Sequence, residues 1–487
     1  MSTTAEVETL RNYAGGAWFQ SAASETLEDR DPATGELAAR VPLSVAADVD
    51  RVVRAASEAQ PGWREVPPQE RARAVLALRD ALVEHRRELA ALVTADMGKT
   101  LADADGEVGR GIESIESAAA IPHLLKGETL EGVAAGVDVE LVRQPVGVVA
   151  AITPFNFPAM IPLWFLPYAV ASGNAFVLKP SERDPRPAQR ICELIDEAEI
   201  FPPGVVNLLH GGREAVEAIL DHDGVDAVSF VGQASTARLI ATRSAQTGKR
   251  VQALGGAKNS MIVAADADLA TSVPAILSSA FGAAGQRCLA GSVCVIAGDQ
   301  ARQDEVREAL TRAASALTTG PGADPATDVC PMVSPEARER AEAAVSAAES
   351  EGATVLLDGR IGGGEAGAVL GPTLVDVAGH ESELAREEIF GPVLALVSVP
   401  ALDAAIDFTN GSRYGNAGSI FTTSGATARA YRWGIEAGML GINIGVPAPV
   451  AWFPFSGWKD SIDGDLHANG RDAVEFYTRK KVITSRW

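Results

Sequence analysis

The chain has 487 residues, 47% of them hydrophobic and 22% charged, with a formal net charge of −22 at pH 7. That length exceeds what one hydrophobic core fills, so two or three packed domains are expected, and the composition excludes a disordered chain. The negative charge excludes nucleic acid and anionic membrane as partners, because both are bound through a basic face that displaces counterions.

The N-terminal MSTTAEVETL is polar and acidic, with neither a signal nor a transit pattern, and the four cysteines (Cys192, Cys288, Cys294, Cys330) form no disulfide framework and no CxxC pair. A reducing compartment is expected, and with it a cytoplasmic location. Next, DPATGE at residues 31–36 lies between short alternating runs and predicts a hairpin. Apolar residues at three and four spacing predict helices over 46–60 and 68–96. The most apolar stretch, 155–178, contains Pro158, Pro162 and Pro167, which suits a buried helix better than a membrane span.

From residue 145 short apolar runs alternate with helical segments: VGVVAAI, AFVLKP, VVNLLHG, AVSFVG and VQALGG, with helical periodicity over 186–200 and 213–222. This is the rhythm of right-handed βαβ units and a parallel sheet, and it makes a Rossmann-like dinucleotide site plausible. A second set follows, SVCVIAG, a helix over 303–317, ATVLLDG, VLALVSV, GSIFTT and GINIG, predicting a second α/β domain. Between these domains, beyond the carboxyl ends of the strands, a ligand cleft is expected. The one low-complexity stretch is the loop IGGGEAGA at 361–368.

Among the motifs, GKT at 98–100 resembles the end of a phosphate loop, but Val93 stands where that motif needs glycine, so it is set aside. No metal-binding or serine-hydrolase pattern is present. Cys288 in GAAGQRCLAGS, taken alone, would be a buried thiol; the small residues around it leave room for a ligand, and Arg287 is expected to lower the thiol pKa. Cys192, Cys294 and Cys330 read as packing residues. ITPFNFP at 152–158 breaks from a strand into a loop, where Asn156 is placed to donate to an oxyanion or, more plainly, to cap a turn. LKPSE follows a strand and reads either as a solvated charged turn or as a place where Lys179 and Glu182 face the same crevice, with a carboxylate that accepts ribose hydroxyls and favours NAD over its 2′-phosphorylated relative. FVGQAST offers a helix start after Gly232 and Gln233 for a pyrophosphate.

Taken together, ITPFNFP, LKPSE, ALGGAKN, GAAGQRC and EEIFGPV, in that order, resemble the aldehyde dehydrogenase superfamily. PFNFPAMIPLWFLP, GQRCLA and the tail GWKDSIDGDLHANGRDAVEFYTRKKVITSRW resemble its CoA-acylating methylmalonate-semialdehyde dehydrogenases. The resemblance implies an aldehyde dehydrogenase-like α/β fold. It has a Rossmann-like NAD domain (1–124 and 143–254), a catalytic domain (255–460) and a small bridging β arm (125–142 and 461–487), assembled as a homodimer or homotetramer. By position, Cys288 matches the nucleophile, and Asn156 with the Cys288 amide matches the oxyanion hole. Thr153, Phe155, Lys179, Glu182, Gly232, Gln233, Glu388 and Phe390 match cofactor contacts, and Arg110 and Arg287 match a substrate-carboxylate clamp.

Hydrolytic members have glutamate where this chain has Ala253, and that glutamate activates water; its loss removes about 10²–10⁴-fold of general-base catalysis and favours transfer to the CoA thiol. The implied reaction turns methylmalonate semialdehyde into propionyl-CoA, or malonate semialdehyde into acetyl-CoA, with NAD. The alternatives are a hydrolytic aldehyde dehydrogenase for another aldehyde and, from a different class, a non-catalytic nucleotide-binding protein. Gln233 and Ala234, Leu289 and Gly291 depart from the family's usual residues at the pyrophosphate and the pocket.

Overall fold

The computed structural model describes residues 7–360, 367–377 and 382–487; most of the loop 361–368 and the first six residues lie outside the described residues. The expected hairpin is present, Thr26–Arg30 pairing antiparallel with Leu37–Pro42 around the turn. The first helix runs Ala46–Glu65, past its expected end and through Pro61. The long helix expected over 68–96 is two, Pro68–Glu84 and Arg86–Met97, because His85 between them leaves helical geometry (φ −95°, ψ 11°).

Five parallel strands form the middle of an eight-stranded sheet, in the order Val206–Leu208, Ala175–Lys179, Val148–Ile152, Ala227–Val231, Arg250–Leu254. Every residue of the middle three strands is buried, as a sheet covered on both faces requires. Its order reverses at Val148–Ile152, so the loops after that strand and after Ala227–Val231 flank the switch point where such sheets bind ligands. The apolar run 155–178 resolves into the wholly buried helix Met160–Ala171 and the strand Ala175–Lys179. Among the described residues no helix is long and apolar enough to cross a membrane.

The second sheet has seven strands, in the order Thr354–Leu357, Thr373–Asp376, Val393–Val399, Gly291–Ala297, Asn259–Val263, Ala417–Phe421, Met439–Ile442. The strand Asn259–Val263, near its centre, has no counterpart in the sequence reading. It is buried on both faces but opens on Asn259 and Ser260, polar residues that cut short the apolar run by which the other buried strands show. A separate three-stranded sheet joins Glu128–Ala134, Val137–Pro145 and Thr478–Arg486. The tail expected to enter this arm from residue 461 divides. Ile462–Asp463 pairs with the first sheet, the helix Gly470–Phe476 packs on Met160–Ala171, and only the final strand joins the arm.

Candidate active site

Residues following the carboxyl ends of the first sheet face residues preceding the amino ends of the second. Thr153, Asn156, Glu182 and Gly232 come from the former; Cys288, Glu388, Phe390 and Asn416 come from the latter. The carboxyl-end rule therefore describes one wall only. The two walls touch where the Asn156 amide donates to the Gln286 carbonyl at 3.0 Å, and where the rings of Phe155 and Phe390 meet edge to face at 5.7 Å.

Cys288 stands at the end of a strained approach. Ahead of it the short 3-10 helix Gly282–Gly285 carries Ala283, Ala284 and Gly285 in left-handed conformation (φ 50°, 53° and 70°). Gly285 adopts that region freely, whereas Ala283 and Ala284 are held there at a cost, so the turn stores backbone strain ahead of Cys288 while its small residues leave space. A Cβ on Gly285 would meet the Gly391 carbonyl oxygen at 2.2 Å, and one on Gly282 would lie 2.4 Å from the Arg287 guanidinium. Behind the turn the Cys288 carbonyl accepts from the side-chain amides of Asn259 (2.9 Å) and Asn416 (2.8 Å).

Cys288 lines a cavity of about 270 Å³ together with Arg110, Arg287, Phe157, Trp164 and Phe455. Both predicted arginines therefore share a space with the sulfur. Each is already paired: Arg287 with Asp103 at 2.7 Å, and Arg110 with Glu113 at 2.7 Å and with the Pro449 carbonyl at 3.0 Å. The expected lowering by Arg287 is present but outweighed: burial, and next the charge of Glu388, push the Cys288 thiol up to about 12, while Arg287, paired with Asp103, pulls it down only in part.

On the other wall Lys179 Nζ lies 2.9 Å from Glu182 Oε2 at the end of its strand. Thr153 Oγ1 is buried without a hydrogen-bond partner. Gly232 donates its amide to the Leu254 carbonyl, and Gln233 precedes the helix Ala234–Gln246 without capping it by its side chain, so the first amides of that helix remain free. Glu388 accepts from the Ala257 amide at 3.0 Å, and burial pushes its carboxyl up to about 7. Ala253 is buried in its strand, so the position of the hydrolytic glutamate supplies no titratable group.

Sequence reasoning passed over the residues that hold this frame: Lys99, Asp103, Glu107, Glu113, Asn259 and Asn416. Lys99 sat inside the GKT that failed the phosphate-loop pattern. Glu113 pairs with Arg110 at i,i+3, an ordinary helix spacing that marks no site, and Asp103, Asn259 and Asn416 have partners far away in the chain.

A model of the aldehyde dehydrogenase family matches residues 18–483. Over 487 residues the chain is 49% identical to malonate-semialdehyde dehydrogenase 1 of Geobacillus kaustophilus, covering 100% of this chain and 99% of that one. It is 47% identical to malonate-semialdehyde dehydrogenase of Halalkalibacterium halodurans, covering all of both. Among solved structures, methylmalonate-semialdehyde dehydrogenase from Oceanimonas doudoroffii superposes with a TM-score of 0.96 at 43% identity, covering 99% of each chain. A chain from Sinorhizobium meliloti 1021, provisionally assigned as methylmalonate-semialdehyde dehydrogenase and complexed with NAD, gives 0.97 at 40% identity, again with 99% of each covered.

Proposed function

Because the chain belongs to the aldehyde dehydrogenase family, we propose that it oxidises malonate or methylmalonate semialdehyde with NAD and delivers the decarboxylated acyl group to CoA, forming acetyl-CoA or propionyl-CoA. One observation carries this reading: Cys288 shares its cavity with two arginines, while every carboxylate lining that cavity is bound to a cation. Asp103 holds Arg287, Glu107 holds Lys99 and Glu113 holds Arg110, so none is free to activate water.

The residues present suit a dinucleotide. Thr153 has an unpartnered hydroxyl, Lys179 and Glu182 stand at a strand end, and Gly232 with Gln233 lead into free helix amides that favour a pyrophosphate. Glu388 and Phe390 close the site from the second sheet. When bound, NAD accepts the hydride from the carbon attached to the Cys288 sulfur.

Cys288 attacks the aldehyde carbon as thiolate, and the negative oxygen that results is met by the Asn156 amide and the Cys288 backbone N–H. Arg110 and Arg287 hold the substrate carboxylate by charge-assisted hydrogen bonds, in exchange with the acids that hold them now. In the resulting thioester the carboxylate departs as CO₂, and its electron pair passes to the thioester carbonyl as an enolate, which the same two donors stabilise before it is protonated at carbon. The CoA thiolate then displaces the Cys288 sulfur, a step that needs less help than attack by water. By the same reading the enzyme is cytoplasmic and a homo-oligomer.

Hydrolytic release is the second reading, favoured by Glu388. With its carboxyl raised to about 7 and its charge felt by Cys288, this residue has the protonation behaviour of a general base. NADH formation over many turnovers, followed with and without CoA, separates the two. A single enzyme-equivalent of NADH without CoA and sustained turnover with it is the expected result; full turnover without CoA overturns acyl transfer to a thiol.

A further inference from the structure

Lys99 and Glu107 face each other at 2.6 Å with both side chains fully buried, at the wall of the substrate cavity. A buried ion pair is a poor source of stability, since apolar residues of similar volume commonly serve as well or better. Its hydrogen bonds are more informative. Lys99 Nζ donates to Glu107 Oε2 and, at 2.7 Å, to the backbone carbonyl of Asn156, while its remaining face lies 4.1 Å from the centre of the Phe157 ring. Glu107 Oε1 accepts from the amides of Ala159 (2.8 Å) and Met160 (3.0 Å). Two side chains thus tie the loop 156–160 at its carbonyl end and at its amide end.

The anchors themselves are rigid. Lys99 sits between the helices Arg86–Met97 and Leu101–Ala118, after Gly98 at φ 90° and before the capping residue Thr100, and Glu107 lies well inside the second of those helices. From this fixed frame the Asn156 side chain reaches across to the Gln286 carbonyl, two residues before Cys288. With its ammonium donors satisfied in this way, Lys99 acts through geometry and not as a ligand for substrate.

We propose that Lys99 and Glu107 are positioning residues for the reaction at Cys288: the sealed pair fixes the main chain on either side of Asn156 and so sets where its amide stands when the oxyanion forms. This rests on the reading of Asn156 as an oxyanion donor, and the two are tested apart.

The uncharged double variant Lys99→Met/Glu107→Gln leaves no lone buried charge and keeps an acceptor for the Ala159 and Met160 amides. It is to be compared with Asn156→Ala and with the triple variant. Melting temperature and NAD titration report the fold and the cofactor site, and the pre-steady-state NADH burst without CoA reports acylation alone. Expected is a double variant that melts and binds NAD as the parent does, yet shows a burst slower by about 10- to 100-fold, as a misplaced donor gives, with little change in KM. In the Asn156→Ala background the same pair of changes should slow the burst by less than about threefold, because their effect runs through a group already removed. A parental burst rate in the double variant overturns the proposal, and so do losses that multiply in full. Should the double variant fail to fold, Lys99→Gln/Glu107→Gln, which keeps a donor for the Asn156 carbonyl, is expected to burst near the parental rate; a folded variant of this kind with a slow burst also overturns it. If Asn156→Ala alone leaves the burst unchanged, the oxyanion assignment falls instead.

Discussion

The thiol proposed as nucleophile, Cys288, is held in surroundings that oppose its ionisation. Burial and the Glu388 charge raise it to about 12, and Arg287 offsets this only slightly from its place beside Asp103. The thiolate is therefore a small minority at pH 8, so alkylation of Cys288 by iodoacetamide should climb steadily through pH 9 with no plateau. A cationic nicotinamide ring brought to the same site favours the thiolate, and NAD should accelerate alkylation at fixed pH. A plateau below pH 8 in the free protein, followed by mass spectrometry of the Cys288 peptide, would contradict this electrostatic account. At the clamp, Arg110→Leu removes a charge-assisted contact and should lower kcat/KM for semialdehyde acids by about 10- to 100-fold while leaving neutral aldehydes of similar size unaffected. Equal losses for both substrate types would show that Arg110 supports the loop carrying Ala448 and Pro449 rather than gripping a carboxylate.

Among the elements around Cys288, the turn Gly282–Gly285 has little freedom to change. Gly285 combines a φ of 70° with a carbonyl oxygen at 2.2 Å from where a Cβ would stand, whereas Gly248, at φ 71°, has nothing within 4 Å. Gly248→Ala should therefore cost about 1 kcal/mol, the backbone penalty alone, and Gly285→Ala about 3 kcal/mol or more, since steric overlap adds to the same strain. Because Gly391 lies directly after Phe390, Gly285→Ala should also weaken NAD binding, and Gly248→Ala should not; denaturation curves and NAD titration read both. This turn shows the limit of what the sequence carries. GAAGQRC marks the proposed nucleophile by its small residues and by its resemblance, and the apolar runs mark most strands of both sheets. The strand Asn259–Val263 escapes because, buried on both faces like the others, it opens on the polar Asn259 and Ser260 and so shows neither alternation nor a full apolar run. The ties that place Cys288 and Asn156 escape too, since Asn259, Asn416, Lys99 and Glu107 act over 29, 128, 57 and 52 residues of separation. Periodicity has no access to such distances.

On the scale of the whole molecule, the carboxyl ends of one sheet and the amino ends of the other enclose the cavity, and a third, small sheet stands apart from both. Every residue of Glu128–Ala134 is exposed, the final strand leaves Val482 62% exposed, and Trp487 just beyond it is 85% exposed. Both outer strands of that sheet have a free edge, and the last presents nine residues of backbone along it. A three-stranded sheet with so little cover is not stable on its own account and invites pairing with another chain. A second copy of this chain is the occupant expected from the family's arm. The protein should elute as a multiple of 50.6 kDa in light scattering coupled to gel filtration. Val482→Asp should shift that mass downward at micromolar concentration, because a charge placed at a covered apolar edge must be desolvated when the subunits meet. The melting temperature should fall with it and should depend on protein concentration in the parent, since assembly contributes to stability by mass action. A parent that elutes at the mass of one chain, with a concentration-independent melt, would mean that this arm is stable uncovered.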